Sequence, residues 1–296
     1  IDDLYKKKQK KKLGVFIAAI AMCIVFTAGG VVLQIAASQK ATATYETTLQ
    51  NAEDTSDYAK KIELYQDCIA IPNKGGDKDA YLGLIKTFKE NDHNFTDEEA
   101  NILDRLISNN RDMLLNDKTA YADLCYETGK LYWYYYQNNS NKVTSAIYAK
   151  TWFDKVIEYA PDDYPNKNTA EVYSAVGDFY NSITELQKTG EDKGMDSKFF
   201  DNLISLMKTV GKNENETEIV RLEILELARS AVQQYATKFK RDGVEQSDID
   251  SMLTDIGNIA ENLDTDLELK DTILALLDDT RADVALAYGT GKGGNE

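Results

Sequence analysis

Apolar residues recur at three- and four-residue intervals along most of the chain after about residue 57, with polar residues between them. This spacing puts the apolar side chains on one face of a helix, as in amphipathic helices that pack around a core. No stretch shows the alternation, bounded by hairpin turns, that predicts a β-strand. The pattern therefore predicts an all-α fold. The predicted helices span residues 57–71, 77–90, 96–115, 118–137, 143–160, 168–188, 196–210, 216–240, 246–262 and 268–288.

Two helix starts have a recognisable sequence signal. The run Thr96-Asp97-Glu98-Glu99 has the spacing of a capping box, in which a threonine hydroxyl and a glutamate carboxylate accept hydrogen bonds from backbone N–H groups. Ser247 stands before an apolar-periodic stretch and predicts a second cap. The chain contains only 3 prolines, which suits long helices joined by short turns.

Residues 13–37 form an uncharged, mostly apolar run. One helix of about 20 apolar residues crosses the hydrocarbon core of a bilayer, so the run predicts a transmembrane helix. Basic residues that flank a span remain in the cytoplasm. We therefore expect a single-pass protein of the cell membrane with its N-terminus in the cytoplasm and its C-terminal domain outside it. The lysines that set this orientation are Lys6, Lys7, Lys8, Lys10, Lys11 and Lys12.

Two other interpretations of residues 13–37 fit less well. A cleaved signal peptide has an apolar core of only about 7–15 residues, and a buried core helix would leave the preceding lysines without a role. The small residues Gly14 and Ala18 and the pair Gly29-Gly30 are compatible with a homodimer through the span. Because the chain begins with Ile1 rather than methionine, we expect it to be part of a longer protein.

The predicted organisation has six parts. They are a cytoplasmic polybasic stub (1–12), the transmembrane helix (13–37), a stalk (38–56), helical repeats (57–190), further helical hairpins with degenerate repeats (191–288) and a flexible tail (289–296).

Composition excludes several classes of function. The chain has 34 Lys and Arg against 50 Asp and Glu, and six of the lysines precede residue 13. So acidic a remainder argues against nucleic acid as a partner. Cys68 and Cys125 lie on apolar helix faces and His93 is the single histidine, so neither a metal site nor a histidine-based catalytic site is expected. We predict no cofactor, no metal and no catalytic residue.

The middle of the chain carries repeated spacings of small and aromatic residues. One segment reads Ala149-x3-Phe153-x2-Val156-x4-Pro161, and the next reads Tyr173-x2-Val176-Gly177-x2-Tyr180. Further segments with related spacing are Cys125-x2-Thr128-Gly129-x2-Tyr132, Tyr81-x2-Leu84-Ile85-x2-Phe88 and Tyr65-x2-Cys68-Ile69.

These spacings resemble the second and first helices of the tetratricopeptide-repeat family over residues 57–185. Glycine or alanine lets two helices approach closely, and the aromatic rings fill the space between hairpins. The resemblance implies a solenoid of helical hairpins that binds a protein or peptide. The connection between Tyr132 and Ala149 is longer than in the family, and the helix pair over 91–117 interrupts the period. An irregular helical bundle is the alternative.

The run Tyr132-Trp133-Tyr134-Tyr135-Tyr136 is the candidate partner-binding site. Five consecutive aromatic residues cover every face of a helix, so some of the rings meet solvent or a neighbouring helix. One interpretation is an aromatic groove for a peptide or glycan, since Tyr and Trp give contact area at a low cost in conformational entropy. The other is packing between repeats.

Taken together, the segments also resemble the C-terminal part of membrane-anchored Ser/Thr protein kinases of the clostridial type. The resemblance implies the sensor and anchor half of a truncated kinase, with the catalytic domain ahead of residue 1. Our main hypothesis is instead a membrane-tethered binding or sensing module without catalysis of its own, and a third is an envelope-assembly scaffold.

Overall fold

The computed structural model describes residue 34 and residues 36–91, 94–136, 142–190, 197–239 and 243–291. Within these ranges the secondary structure is helical, apart from one isolated parallel bridge between Phe95 and Tyr136. The helices are α1 (36–54), α2 (Tyr58–Ala70), α3 (Lys78–Glu90), α4 (Asp97–Asn109), α5 (Arg111–Leu114), α6 (Lys118–Tyr135), α7 (Lys142–Tyr159), α8 (Lys167–Thr189), α9 (Ser197–Gly211), α10 (Glu218–Lys238), α11 (Gln246–Glu261) and α12 (Glu268–Ala287). The predicted all-α class is confirmed.

The predicted fold also contained one transmembrane helix, and that part of the prediction is wrong. Within the part of the chain that the structure describes, no helix combines the length and apolar character needed to cross a bilayer. The single-pass membrane localisation is corrected on the same finding. Residues 13–33 of the proposed span lie outside the described residues, as do the orienting lysines before it and the glycines of the proposed dimer contact.

The predicted stalk, residues 38–56, packs against the following helices. Most of it belongs to α1, where the Tyr45 side chain is 3 % exposed and Ala52 is fully buried. The Tyr45 hydroxyl accepts a hydrogen bond from the backbone N–H of Ala80 at 3.3 Å. The ammonium group of Lys74 lies 5.0 Å from the centre of the Tyr45 ring. This segment is therefore the first layer of the helical stack.

Side-chain caps fix several helix starts. The Thr96 hydroxyl accepts from the Glu99 N–H at 3.2 Å, and the Glu99 carboxylate accepts from the Thr96 N–H at 2.8 Å, as the sequence predicted. The second predicted cap is wrong. Glu245 is the N-cap of α11 and Asp248 completes its capping box, which places Ser247 inside the first turn.

One predicted helix, 96–115, is divided into α4 and α5 at Asn110. The backbone of Asn110 has φ −109° and ψ 11°, outside helical geometry. Its side-chain amide donates to the Leu106 carbonyl oxygen at 2.9 Å, the same oxygen that accepts from the Asn110 backbone N–H at 3.3 Å.

Consecutive helices pack as hairpins, and this repeat-like packing runs through the described chain. The closely packed pairs include α2 with α3, α6 with α7, α7 with α8, α9 with α10, and α11 with α12. Contacts of α3 with α6, of α9 with α11 and of α10 with α12 join neighbouring hairpins. The result is one continuous hydrophobic core that extends along the stack.

Small residues of the repeat-like spacing lie at close contacts between helices. A Cβ atom at Gly129 of α6 would lie 2.9 Å from the ring of Phe153 in α7. Ala149, Phe153 and Val156 are fully buried. The Phe153 ring stacks on Tyr173 of α8, with ring centroids 4.6 Å apart. One glycine, one small residue and two rings thus hold three successive helices together.

Candidate functional site

The helix that carries the aromatic run, α6, is buried on most of its surface. It lies between α3 on one side and α7 on the other, and its buried residues are spread around the whole helix. A helix that is apolar on all sides belongs in the centre of a packed structure. The sequence of α6 therefore reflects its central position in the stack.

Three of the five aromatic side chains belong to the core. Tyr132, Trp133 and Tyr136 are 3 %, 1 % and 6 % exposed. The Tyr132 hydroxyl donates to Asp104 Oδ2 at 2.9 Å, and the Trp133 ring packs 4.7 Å from the ring of Tyr173. These side chains join α6 to its neighbours and present little surface to a partner.

The Tyr136 ring closes one end of α6. The hydroxyl of Tyr136 donates to a carboxylate oxygen of Asp97, and its ring lies 6.3 Å from the ring of Phe95. The backbone N–H of Phe95 donates to the Tyr135 carbonyl oxygen at 2.8 Å. These contacts fasten the end of α6 to the loop that precedes α4.

Tyr134 and Tyr135 are half-buried and line a cleft of about 380 Å³ between α3, α6 and the start of α10. We call it the tyrosine cleft. It is lined by Lys89, Lys130, Tyr134, Tyr135, Thr217, Ile219, Val220 and Glu223. A volume of a few hundred cubic ångströms is in the range of ligand pockets. The site therefore combines two phenol rings, an exposed isoleucine and charged groups.

Tyr134 is held in place through its hydroxyl. That hydroxyl is hydrogen-bonded to the hydroxyl of Tyr173, and the two rings meet edge to face. Burial raises the pKa of Tyr134 well above its ordinary value, and Tyr173 and Glu223 raise it further. The phenol therefore stays neutral, and its ring forms a fixed wall of the cleft.

Lys89 and Lys130 form the second wall of the tyrosine cleft, and the Glu127 carboxylate lies between them. Glu127 accepts from Lys89 Nζ at 2.7 Å and from Lys130 Nζ at 3.4 Å. Burial acts to raise the pKa of Glu127, but the two ammonium groups outweigh it and hold the pKa below its ordinary value. Each ammonium has three donors, so both lysines keep hydrogen-bonding capacity after pairing with Glu127.

The third wall of the tyrosine cleft comes from the start of α10, which is far from α6 in the sequence. The Tyr126 hydroxyl donates to Glu216 Oε1 at 2.6 Å, and both side chains are buried. This contact joins α6 to the residues just before α10. Two residues of α10 then take different roles, because Val220 is 4 % exposed and packs in the core, whereas Ile219 is 52 % exposed.

Part of this site was predictable from the sequence. The sequence pattern singled out Tyr134 and Tyr135, but it gave no role to Lys89, Lys130 or the residues of α10. Ile219 carried a usable signal, since an apolar residue directly before the buried Val220 falls beside the apolar stripe of α10. Whether any residue of the aromatic run binds a partner remains a prediction.

Two cysteines of the described chain lie in the core. Cys68 and Cys125 are free and buried, as the apolar faces of their helices predicted. Burial raises the pKa of the Cys68 thiol to about 11 and that of the Cys125 thiol to about 12. Both therefore act as small apolar side chains of the core.

No family model, curated protein or solved structure matches this chain. The evidence for a helical, repeat-like architecture is therefore the helix packing in the structure. The finer resemblance to tetratricopeptide repeats depends on residue spacing and on the packing described above. The resemblance to transmembrane kinases has no support from these comparisons.

Proposed function

We propose that this chain is a helical-repeat binding module of the tetratricopeptide type, without catalysis of its own, that takes a peptide segment of a partner protein in the tyrosine cleft. The observation that carries the proposal is the pairing of the exposed Ile219 with the half-buried rings of Tyr134 and Tyr135 across one cleft. Such apolar and aromatic groups at a preformed site are the usual anchors of protein recognition.

The packing of the middle helices supports the repeat assignment. In tetratricopeptide-like spacing a small residue of one helix faces an aromatic residue of the next, and Gly129 and Phe153 meet in this way. Gly177 of α8 similarly faces the aliphatic part of Lys150 in α7, where a Cβ atom would lie 3.2 Å from two of its carbons. Both glycines are positions that the spacing singled out.

The chemistry of the cleft indicates what the peptide carries. One large apolar side chain would fill the space between Ile219 and the tyrosine rings, where burial contributes about 1.5–3 kcal/mol. The ammonium groups of Lys89 and Lys130 would donate to backbone carbonyl oxygens beside that side chain. Because Glu127 and Glu223 balance these two charges, recognition depends on the apolar anchor more than on net charge.

A displayed library of random peptides tests the proposal. Peptides selected on the wild-type chain should share an apolar anchor, and their affinity, measured by calorimetry, should fall at least tenfold for Ile219→Asp. Ile219 lies in the first turn of α10, where a carboxylate is favourable to the helix, so this variant should fold normally.

Ile147→Asp is the matched control. Ile147 is 42 % exposed on α7 and does not line the cleft, and it undergoes the same chemical change. The selected peptides should bind this variant with wild-type affinity. Equal binding to wild type, Ile219→Asp and Ile147→Asp would contradict the proposed site.

A further inference from the structure

A second cleft, of about 470 Å³, lies between α9, α10 and α11 and is separate from the tyrosine cleft. Three cationic side chains line it, Lys208, Lys212 and Arg221. Two carboxylates, Glu214 and Asp255, also line it, so its lining carries more positive than negative charge in a chain whose formal net charge is −16. We call this site the basic cleft.

We propose that the basic cleft binds a carboxylate that is attached to an apolar group. This function is independent of the proposed role of the tyrosine cleft. Two kinds of ligand carry such a group. They are the C-terminal end of a peptide with an apolar last residue and a free aliphatic acid. Both offer one planar carboxylate beside a few methyl or methylene groups.

Arg221 is the group best placed to hold the carboxylate. Its Nε–H donates to the Gly211 carbonyl oxygen at 2.9 Å, which fixes the plane of the guanidinium against the end of α9. Its two terminal nitrogens have no acceptor among the described residues. A guanidinium oriented in this way presents two parallel N–H groups, the geometry that binds a carboxylate through both oxygens.

The two lysines of the basic cleft have different roles. Lys208 Nζ is fixed 2.8 Å from Asp255 Oδ2, which joins α9 to α11 and neutralises that carboxylate. Lys212 is exposed and makes no ion pair within the described chain, so it is available to a ligand. Glu214 is the one carboxylate of the lining that forms no ion pair with the described residues, and it disfavours ligands with more than one negative charge.

The apolar part of the ligand has its own surface. Ile259 and Leu263 line the cleft while being 7 % and 4 % exposed, so they form its floor. The exposed Glu214 carboxylate opposes a dianion more strongly than a monoanion. A monovalent carboxylate on an apolar group therefore fits better than inorganic phosphate, which is doubly charged near neutral pH and has no apolar part.

Calorimetric titration with three probes tests the proposal. The probes are a pentapeptide that ends in leucine with a free carboxylate, the same peptide with a C-terminal amide, and 4-methylpentanoate. The free-acid peptide should bind, and amidation should weaken binding at least tenfold. Tighter binding of the peptide than of 4-methylpentanoate would identify a peptide terminus as the source, and equal binding a small acid.

Variants locate the binding on the structure. Arg221→Lys keeps the charge but loses the paired donors, and should weaken binding of the free-acid peptide about tenfold, which corresponds to about 1.4 kcal/mol. Lys212→Gln should weaken it severalfold without affecting folding, since that side chain is exposed. Arg281→Lys makes the same change at an arginine of α12 outside the cleft, and should leave the affinity unchanged.

Three results would overturn the proposal. They are equal affinity for the acid and the amide, equal affinity of wild type and both cleft variants for the acid, and binding of neither carboxylate probe. Ile219→Asp should not alter the titration, so failure here and failure of the tyrosine cleft are separate outcomes.

Discussion

Replacing Gly129 with alanine should destabilise the fold, because the added methyl group has no room between α6 and α7. A Cβ atom at this position would lie 2.9 Å from two carbons of the Phe153 ring and 3.0 Å from a third. The ring is fully buried, and it stacks on Tyr173 with centroids 4.6 Å apart. Phe153 therefore cannot move aside without displacing a further ring.

Two opposing effects set the magnitude for Gly129→Ala. Alanine is more favourable than glycine in a helix interior by about 1 kcal/mol. Overpacking of a well-packed core costs about 1–3 kcal/mol. The difference is a loss of about 0–2 kcal/mol in the free energy of unfolding. Because Phe153 is buried and stacked on Tyr173, we expect the upper half of this range, a fall of roughly 2–8 °C in melting temperature for a chain of this size.

Gly257→Ala is the matched control, since it makes the same change inside another helix. A Cβ atom at Gly257 would meet only Cδ1 of Leu277, at 2.9 Å, and this is the end of a flexible side chain. That variant should be unchanged or more stable by up to about 1 kcal/mol. Urea unfolding followed by far-ultraviolet circular dichroism measures both. If Gly129→Ala were as stable as Gly257→Ala, the close approach at Gly129 would be refuted.

Three further substitutions test other contacts by the same assay. Thr96→Ala removes the capping hydroxyl of α4 and should cost about 1 kcal/mol, whereas Thr96→Ser should retain most of the stability. Tyr126→Phe should cost about 1.5–3 kcal/mol, because the buried Glu216 carboxylate loses the hydroxyl that donates to it at 2.6 Å. For Glu127, burial raises the pKa but the two neighbouring lysines lower it more, so the folded pKa is below the unfolded one. Its carboxylate therefore stabilises the fold above the unfolded pKa of about 4.5 and loses this effect as pH falls through the folded pKa. Glu127→Gln should be less stable near neutral pH and should lose less stability on acidification than the wild type.

Each of these has an outcome that contradicts it. Equal stability of Thr96→Ala and Thr96→Ser would show that the hydroxyl does not cap α4. A Tyr126→Phe variant as stable as the wild type would mean that α10 does not depend on this hydrogen bond. Parallel curves of stability against pH for wild type and Glu127→Gln would show that the two lysines do not stabilise the Glu127 carboxylate.

Much of the helical architecture was predictable from apolar spacing, because each amphipathic helix carries its own signal. The capping box at Thr96 and the close approach at Gly129 are local features of this kind. The break at Asn110 was not predictable from periodicity, since the apolar pattern continues through it. There a side-chain amide and a backbone N–H share one carbonyl oxygen, and periodicity contains no information about such local hydrogen bonds.

The tyrosine cleft was only partly predictable for a different reason. Local sequence identified five adjacent aromatic residues, but their burial depends on which helices surround α6. Glu216 lies 90 positions after Tyr126 in the sequence, and their contact brings Ile219 to the cleft. Such long-range contacts leave no local pattern. The uncharged run over 13–37 predicted a membrane span, and no helix among the described residues supports it.

The most direct test of the proposed peptide-binding function is site-specific photocrosslinking. Benzoylphenylalanine replaces Tyr135, a half-buried aromatic residue of the tyrosine cleft, in one variant and the 64 % exposed Leu286 of α12 in another. Irradiation with a selected peptide should crosslink it from position 135, and excess unlabelled peptide should abolish the product. Crosslinking from position 286 but not from position 135 would contradict binding in the tyrosine cleft.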